Sequence, residues 1–223
     1  MTFVSRKDAG RQLGHYLTEN NVTADVVLGL PRGGVIVAAA VAEILQRPLD
    51  ALVVRKIGHP RHREFAVGAL AEDGTVVLDE EVLVRARVVP TELEKVIAEE
   101  KQRLADYSLR FHRPERPTLK DKIALLVDDG LATGATMEVA VRSARKQGAG
   151  KVIVAVPVAS DNAADRLAKV ADQMLALLID PEFDAVGRYY RTFTQTTDDE
   201  VRELLGICGN AASSAEMKRA NRG

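Results

Sequence analysis

The amino-acid sequence predicts an α/β fold with a mostly parallel central sheet flanked by helices, together with a hairpin and a helical insertion. Three observations support this class. Short runs of apolar, β-branched residues alternate with segments of helical periodicity. The run Ile123–Val127 is apolar throughout, as expected of a strand covered on both faces. With 223 residues, 46% of them apolar, the chain is long enough for one large domain with a substantial core.

The regular elements are predicted from these runs in chain order. A strand at residues 24–30 is followed by a Val- and Ala-rich helix at 34–46, which closes before Pro48. After the insertion, the helix at 135–147 ends at Gly148, a residue that commonly terminates helices. The remaining predicted elements are strands at 49–55, 123–127, 151–156 and 173–179 and a helix at 162–170.

Two features interrupt the alternation of strands and helices. The Asp73-Gly74 pair separates apolar segments at 66–70 and 75–78, which predicts a hairpin. Apolar residues at helical spacing over 91–111, with Thr91 as the N-cap, follow a shorter helical pattern at 79–87. Together they predict a helical insertion over residues 79–113.

Domain organisation and composition narrow the possible functions. A single domain is predicted over residues 1–209, and the small, polar segment 210–223 is expected to be a disordered tail. Cys208 is the only cysteine, which excludes a disulfide framework. The chain lacks an apolar run of roughly 20 residues and a hydrophobic signal segment, so we expect a cytoplasmic protein without a membrane partner. The net charge of −1 gives no overall footprint for nucleic acid, which is not an expected partner.

The segment 125–136, LLVDDGLATGAT, carries the clearest chemical signal. An apolar strand ends in two acids, Asp128 and Asp129, which can accept hydrogen bonds from a sugar diol at the end of the sheet where ligands bind. A loop of small residues then opens a helix, where free N–H groups and threonine hydroxyls can bind a phosphate. The loop residues are Gly130, Leu131, Ala132, Thr133, Gly134, Ala135 and Thr136. This segment therefore predicts a site for a phosphate joined to a polyol.

Two basic segments are further candidates for binding an anion. In LGLPRGG, residues 28–34, Gly33 and Gly34 expose N–H groups at a helix start and Arg32 offers a bidentate guanidinium. In RKIGHPRHRE, residues 55–64, Arg55 and Lys56 at the strand end are the best candidates. A solvated basic loop is the ordinary alternative for the second segment.

These segments resemble those of a known family. The apolar strand, two acids and Thr-Gly-x-Thr loop resemble the phosphoribosyl pyrophosphate (PRPP) signature of type I phosphoribosyltransferases, and Pro-Arg-Gly-Gly resembles their pyrophosphate loop. The resemblance runs from roughly residue 22 to 179. A subgroup of uncharacterised phosphoribosyltransferases is similar to this chain almost end to end, including the helical insertion. The resemblance implies a type I phosphoribosyltransferase fold.

The resemblance also implies roles for the candidate residues. Asp128 and Asp129 are expected to hold the ribose hydroxyls and, indirectly, Mg²⁺ as cofactor, and residues 130–136 to hold the 5′-phosphate. Arg32, Lys56, Asp128 and Asp129 are the expected catalytic residues. Pyrophosphate is expected to bind Arg32, Gly33, Gly34, Arg55 and Lys56, with 55–64 as a mobile loop that closes over it.

The implied reaction is Mg²⁺-dependent transfer of the 5-phosphoribosyl group from PRPP to a small-molecule nitrogenous acceptor, with release of pyrophosphate. Enzymes of this family that act on hypoxanthine, guanine or xanthine resemble one another in having an aspartate where this chain has Ala132. A 6-oxopurine acceptor is therefore disfavoured, whereas adenine, another nitrogen base or a non-base acceptor stays open.

Three alternatives accompany this interpretation. The chain could be a PRPP-sensing regulatory protein with little transferase activity, although it has no appended DNA-binding motif. A phosphatase of the haloacid-dehalogenase type is disfavoured because it needs Asp-x-Asp, and here the two acids are adjacent. The helix at 91–111 could serve dimerisation, so a homodimer stays open. The aromatic cluster Phe183, Tyr189, Tyr190 and Phe193 is interpreted as core packing, with a ring-stacking lid as the lesser alternative.

Overall fold

A computed structural model describes residues 2–112 and 115–207, which form two β-sheets and their flanking helices. The strands are β1 (Val26–Gly29), β2 (Leu49–Ala51), β3 (Val54–His59), β4 (His62–Ala71), β5 (Val76–Leu78), β6 (Ile123–Val127), β7 (Lys151–Ser160) and β8 (Gln173–Asp180). The α-helices are α1 (Arg6–Glu19), α2 (Gly33–Leu45), α3 (Glu80–Arg85), α4 (Pro90–Ser108), α5 (Ala135–Lys146), α6 (Asp161–Ala168) and α7 (Asp198–Leu204). A 3₁₀-helix covers Val186–Tyr189.

The central sheet is parallel and has the strand order β2-β1-β6-β7-β8, which confirms the predicted α/β class. Strands β1 and β6 are buried over most of their length, as their apolar sequences require, whereas the edge strand β8 is half-buried. Val27 and Leu125 face the core shared with α1 and α2, whereas Leu28 and Leu126 face the core shared with α5 and α6. Because β1 and β6 are neighbours, the two loops that follow them lie side by side at one edge of the sheet.

The second sheet is antiparallel, with the order β3-β4-β5. The predicted hairpin is confirmed, since β4 pairs with β5 across the Asp73-Gly74 turn. The single strand predicted over 49–55 is wrong. The chain leaves the central sheet where the Leu52 N–H makes its last bond to Gly29, and Val53 then exchanges hydrogen bonds with Glu72 of the second sheet.

The segment 55–64 differs from its prediction as a loop. It forms most of β3, a tight turn and the start of β4, with His59 paired to His62 across the turn. Residues 52, 69 and 71 join the core beneath α5. The second sheet therefore places β3, and the cations on it, beside the start of α5.

The helical insertion lies where it was predicted, as α3 and α4. Thr91 is not the N-cap of α4, because Val89 caps the helix and Pro90 takes the first helical position, where its fixed φ and missing N–H suit it. Helix α4 packs Leu93, Val96 and Leu104 against the second sheet. The end of the insertion at residue 113, Cys208 and the predicted tail 210–223 lie outside the described residues. Within 2–112 and 115–207 no helix combines the length and apolar character needed to cross a membrane.

Candidate functional site

A cleft of about 190 Å³ lies where β6 ends and α5 begins. It brings together the loop predicted to bind phosphate, the first of the two acids and one cation from the second sheet. Met137 and Val186 are the two lining residues that the sequence did not predict. The lining consists of Lys56, Asp128, Gly130, Leu131, Ala132, Thr133, Gly134, Ala135, Thr136, Met137 and Val186.

The backbone of the phosphate-binding loop is free to donate hydrogen bonds. Within the described part of the chain, the N–H groups of Ala132, Thr133, Gly134 and Thr136 have no acceptor. Gly134 has a φ of +71°, a left-handed conformation that favours glycine at this helix start. Unpaired N–H groups at the positive end of a 12-residue helix can bind a phosphate.

Hydrogen bonds to β7 hold the loop in place. The Leu131 N–H donates to the Val158 carbonyl at 2.9 Å, and the Ser160 N–H donates to the Leu131 carbonyl at 2.9 Å. The Ser160 hydroxyl donates to the Ala132 carbonyl at 2.6 Å. These bonds to β7 fix the loop without using the donors that a phosphate needs.

The two acids after β6 lie in different environments. The Asp128 carboxylate lines the cleft and accepts the Asp129 N–H at 2.8 Å. Burial, together with the neighbouring Asp129 charge, raises the pKa of the Asp128 carboxyl well above its usual range. The Asp129 carboxylate does not line the cleft and pairs with Arg6, whose Nε donates to it at 2.7 Å. This pair is largely shielded, with 13% of the Arg6 side chain and 15% of the Asp129 side chain exposed.

Arg6 and Tyr190 are site residues that the sequence did not reveal. The Tyr190 hydroxyl donates to the Asp129 carbonyl at 2.5 Å, and burial raises its pKa, with a further contribution from the charge of Asp129. Arg6 also donates to the Thr194 carbonyl at 2.7 Å and lies 3.8 Å above the ring of Phe193. Arg6 and Asp129 are 123 positions apart, and no local pattern in the sequence marks Arg6 as the partner of Asp129.

The aromatic cluster is divided between packing and the site. Tyr189 and Tyr190 are buried, and Phe183 stacks on Tyr189 with 5.3 Å between ring centroids. These three rings pack as the core interpretation predicts. Phe193 is 41% exposed, and the Arg6 guanidinium covers one face of its ring.

The Pro-Arg-Gly-Gly segment lies directly against the two acids. A Cβ at Gly34 would lie 2.7 Å from Asp128 Oδ1 and 2.9 Å from Asp128 Cα, and a Cβ at Gly33 would collide with the Asp129 carboxylate. The N–H groups of Gly33 and Gly34 donate no hydrogen bond within the described residues. The Pro31-Arg32 peptide bond is cis. The two glycines therefore permit close approach of two loops that each present free N–H groups.

The three predicted cations are not equivalent. The Arg32 Nη1 lies 3.6 Å from Asp198 Oδ1, and the Arg55 Nε donates to Glu100 Oε2 at 2.8 Å. Neither arginine lines the cleft. Lys56 is exposed, lines the cleft and forms no ion pair with any described residue.

The donors present are compatible with Mg²⁺ bound mainly through water and substrate. Asp128 offers a carboxylate at the cleft, and Asp129 follows it. Among residues 2–112 and 115–207 no group of three or more His, Cys, Asp or Glu is placed to hold a metal. Mg²⁺ commonly binds through one or two carboxylates together with substrate phosphate oxygens and waters, which is the mode this site could supply.

Comparison with known proteins shows which family this chain resembles in sequence. The family model described as "Phosphoribosyl transferase domain" matches residues 7–187. A Mycobacterium tuberculosis protein named "Putative phosphoribosyl transferase", found in two strains, is 47% identical over 204 residues, which is 91% of this chain and 46% of that protein. This chain thus spans about half the length of that curated relative. A ribose-phosphate pyrophosphokinase of Pyrococcus furiosus is 32% identical over 155 residues, covering 60% of this chain and 55% of that protein.

Among solved structures, the crystal structure of TT1426 from Thermus thermophilus is 42% identical in sequence, with a TM-score of 0.77. The alignment covers 92% of this chain and 98% of that one. The family model covers most of the chain, including both glycine-containing loops and the two acids. The chain therefore belongs to the phosphoribosyl transferase family.

Proposed function

We propose that this protein transfers the 5-phosphoribosyl group of PRPP to a nitrogenous acceptor and releases pyrophosphate. The observation that carries the proposal is the cleft itself. Free N–H groups of the phosphate loop, the Asp128 carboxylate and the unpaired Lys56 ammonium lie around one space. A ligand with a phosphate, a diol and a second anionic group satisfies all three.

The parts of PRPP are assigned to the residues whose chemistry matches them. The 5′-phosphate binds the unpaired N–H groups of the loop and the hydroxyls of Thr133 and Thr136. The ribose hydroxyls donate to Asp128 and to Asp129, which must exchange its Arg6 partner for the sugar. Pyrophosphate binds Lys56 and the N–H groups of Gly33 and Gly34, with Arg32 beside them. The Pyrococcus furiosus relative is named a ribose-phosphate pyrophosphokinase, and both chemical groups in that name are consistent with these ligands.

The proposed reaction is a substitution at C1 of the ribose. The C1–O bond to pyrophosphate breaks, its electron pair leaves with pyrophosphate, and a lone pair on the acceptor nitrogen forms the new C1–N bond. The proton of that nitrogen passes to solvent. Positioning and electrostatic stabilisation supply most of the acceleration, because the leaving group carries the developing negative charge.

The protein's own charges are arranged for this step. Lys56 would stabilise the departing pyrophosphate, since it has no competing partner in the described residues. Mg²⁺, when bound with PRPP, would supply further positive charge near the pyrophosphate. Positive charge near the site favours the ionised form of Asp128 and offsets the burial that raises the pKa of that carboxyl.

Among nitrogenous acceptors, a 6-oxopurine is disfavoured. Ala132 lies exposed at the cleft, and its methyl group can neither accept nor donate a proton. The acceptor must therefore react without help from that position. This favours a base or amine that already has an available lone pair.

The decisive experiment measures pyrophosphate released from PRPP and Mg²⁺ across a panel of bases and amines. We expect release with at least one acceptor, lost when Mg²⁺ is chelated. Binding of PRPP without release for any acceptor would instead support the PRPP-sensing alternative. Absence of PRPP binding would reject both.

A paired variant tests the site by calorimetry. Asp128→Asn combined with Asp129→Asn should abolish measurable PRPP binding, because both acceptors for the ribose hydroxyls lose their charge. Asp106→Asn is the matched control, since it removes an exposed carboxylate on α4 outside the cleft. Wild-type affinity in the double variant would refute the assignment.

A further inference from the structure

We propose that Arg110, which follows helix α4, is a further pyrophosphate-binding residue, and that Asp198 occupies its guanidinium until the ligand binds. The Asp198 carboxylate bridges two arginines. Its Oδ2 accepts a hydrogen bond from Arg110 Nη1 at 3.0 Å, and its Oδ1 lies 3.6 Å from Arg32 Nη1. The inference rests on the proposed function, because it places Arg110 at the same pyrophosphate as Arg32.

Packing of three helices brings these side chains together. Arg32 directly precedes α2, Arg110 lies just beyond the end of α4, and Asp198 is the first residue of α7. The start of α2, the end of the helical insertion and α7 share one apolar cluster. Its members include Val35, Phe111 and Val201. Because this cluster anchors α7, only the Asp198 side chain has to move for the two arginines to be released.

Tyr107 on α4 marks the place where the charges converge. Burial raises the pKa of its hydroxyl, and the charge of Asp198 adds to the rise. The charges of Arg32, Arg55 and Arg110 oppose this rise in pKa. The Arg110 guanidinium also lies 5.8 Å from the centroid of the Tyr107 ring, within the range of a cation–π contact. Arg55 has a carboxylate partner of its own, so Arg32 and Arg110 are the two guanidinium groups that share Asp198.

The Asp198 carboxylate is an incomplete partner for the two arginines. Its Oδ1 is buried and accepts no hydrogen bond from any described residue, since the Arg32 nitrogen lies beyond the usual hydrogen-bond distance. Leaving a buried acceptor without a donor is unfavourable. The Asp198 side chain is 28% exposed, so it can turn towards solvent once it is released. Pyrophosphate offers more charge and more acceptor oxygens to the guanidinium forks than one carboxylate does.

The position of Arg32 connects this exchange to the ribose. Gly33 follows Arg32, and a Cβ at Gly33 would collide with the Asp129 carboxylate. Arg32 therefore lies between the acids assigned to the ribose and Arg110 of the helical insertion. Two exchanges would accompany PRPP binding: Asp129 gives up Arg6 for the sugar, and Asp198 gives up its two arginines to the pyrophosphate.

Calorimetric titration of the full chain with inorganic pyrophosphate and Mg²⁺ tests this exchange. Arg110→Gln should weaken binding about fivefold, and Asp198→Asn should strengthen it about fivefold because the competing carboxylate is lost. One matched control is Arg85→Gln, which removes an exposed guanidinium elsewhere in the helical insertion. The other is Asp199→Asn, which removes a 93% exposed carboxylate next to Asp198. Neither control should change the affinity more than about twofold.

A double variant separates displacement of Asp198 from a general effect of its charge. In the Arg110→Gln background, Asp198→Asn should raise the affinity at most about twofold, because only Arg32 is left to be released. The full gain in that background, or unchanged affinity in Arg110→Gln alone, would overturn the inference and leave the proposed transferase site standing. Ribose 5-phosphate, which has no pyrophosphate, should bind wild type and Arg110→Gln equally. Failure of the wild-type protein to bind pyrophosphate would reject the proposed transferase site and this inference with it.

Discussion

The phosphate loop and the cations expected to bind pyrophosphate differ in how each site is made. In residues 130–136 the proposed ligand donors are backbone N–H groups, and hydrogen bonds to β7 hold the loop. On the other side, Arg32 and Arg55 interact with Asp198 and Glu100, and Lys56 alone faces the cleft. A site built from backbone is complete before the ligand arrives. A site built from long charged side chains depends on which carboxylates the fold brings near them.

The largest effect that would test this contrast is expected from Gly34→Ala. The new Cβ would lie 2.9 Å from the Asp128 Cα and 3.0 Å from the Val127 carbonyl oxygen, and backbone cannot move aside cheaply. We expect a destabilisation of about 1–3 kcal/mol and at least 100-fold weaker PRPP binding, because Asp128 and the loop shift together. Chemical denaturation and calorimetry measure the two quantities.

Gly33→Ala is the matched comparison for Gly34→Ala. Its Cβ would meet the ends of two side chains, Asp129 and Arg6, which can rearrange. It should therefore cost less stability than Gly34→Ala. Equal losses of stability in the two variants would show that close approach of the backbone is not the reason for glycine at position 34.

The cations provide the second test. Lys56→Gln should weaken binding of inorganic pyrophosphate about tenfold with little change in stability, since Lys56 lines the cleft and has no other partner in the described chain. Arg55→Gln should behave in the opposite way. This variant leaves the buried Glu100 with Arg103 as its remaining ion-pair partner. We expect the free energy of unfolding to fall by about 0.5–1 kcal/mol and the affinity for pyrophosphate to change less than threefold. A greater loss of affinity in Arg55→Gln would contradict the assignment of Lys56.

Sequence reasoning succeeded where short-range constraints decide the structure. The apolar strand at 123–127, the two acids and the glycine-containing loop are contiguous, so their order alone places N–H groups at a helix start. The Asp73-Gly74 hairpin is local in the same way. The helical insertion was located by periodicity, although Pro90 rather than Thr91 defines the start of α4.

The features that the sequence did not predict depend on contacts between residues that are distant in the chain. The segment 55–64 looks like a basic loop because its charges hide the strand pairing that β4 and β5 impose on it. The pairing of Arg6 with Asp129 joins residues 123 positions apart, and Tyr190 reaches the same aspartate from 61 positions away. Such contacts exist only once the sheet has brought the two ends of the chain together.

A third test concerns the cost of burying Asp128. In the folded state burial, with the charge of Asp129, raises the pKa of this carboxyl, whereas in the unfolded chain it titrates near its ordinary value of about 3.9. The folded protein therefore loses stability as pH rises through the raised pKa of Asp128. Asp128→Asn should remove this loss and stabilise the ligand-free protein by roughly 0.5–2 kcal/mol at neutral pH, while PRPP binding is lost.

The pH dependence separates this explanation from a general packing effect of Asp128→Asn. Thermal unfolding of wild type and variant should converge below about pH 3, where the carboxyl is neutral in both states, and diverge as pH increases. A stability difference that stays constant with pH would show that burial of the charge is not its cause. Burial of the Asp128 carboxylate would then not lower the free energy of unfolding.

The smallest expected effect tests whether Tyr190 helps to hold the acids. Tyr190→Phe keeps the ring contacts with Phe3 and Phe193 and removes the hydroxyl that donates to the Asp129 carbonyl. We expect the free energy of unfolding, measured in urea, to fall by about 0.5–1 kcal/mol and PRPP binding to weaken about threefold. The effect is small because the Asp129 N–H still donates a hydrogen bond to the Asp128 carboxylate. Tyr16→Phe is the control, since the Tyr16 hydroxyl makes no hydrogen bond within the described residues. Equal effects in the two variants would mean that the Tyr190 hydroxyl does not help to hold the two acids. The segment around Tyr190 and Thr194 would then act on Asp129 only through Arg6, which also donates a hydrogen bond to the Thr194 carbonyl.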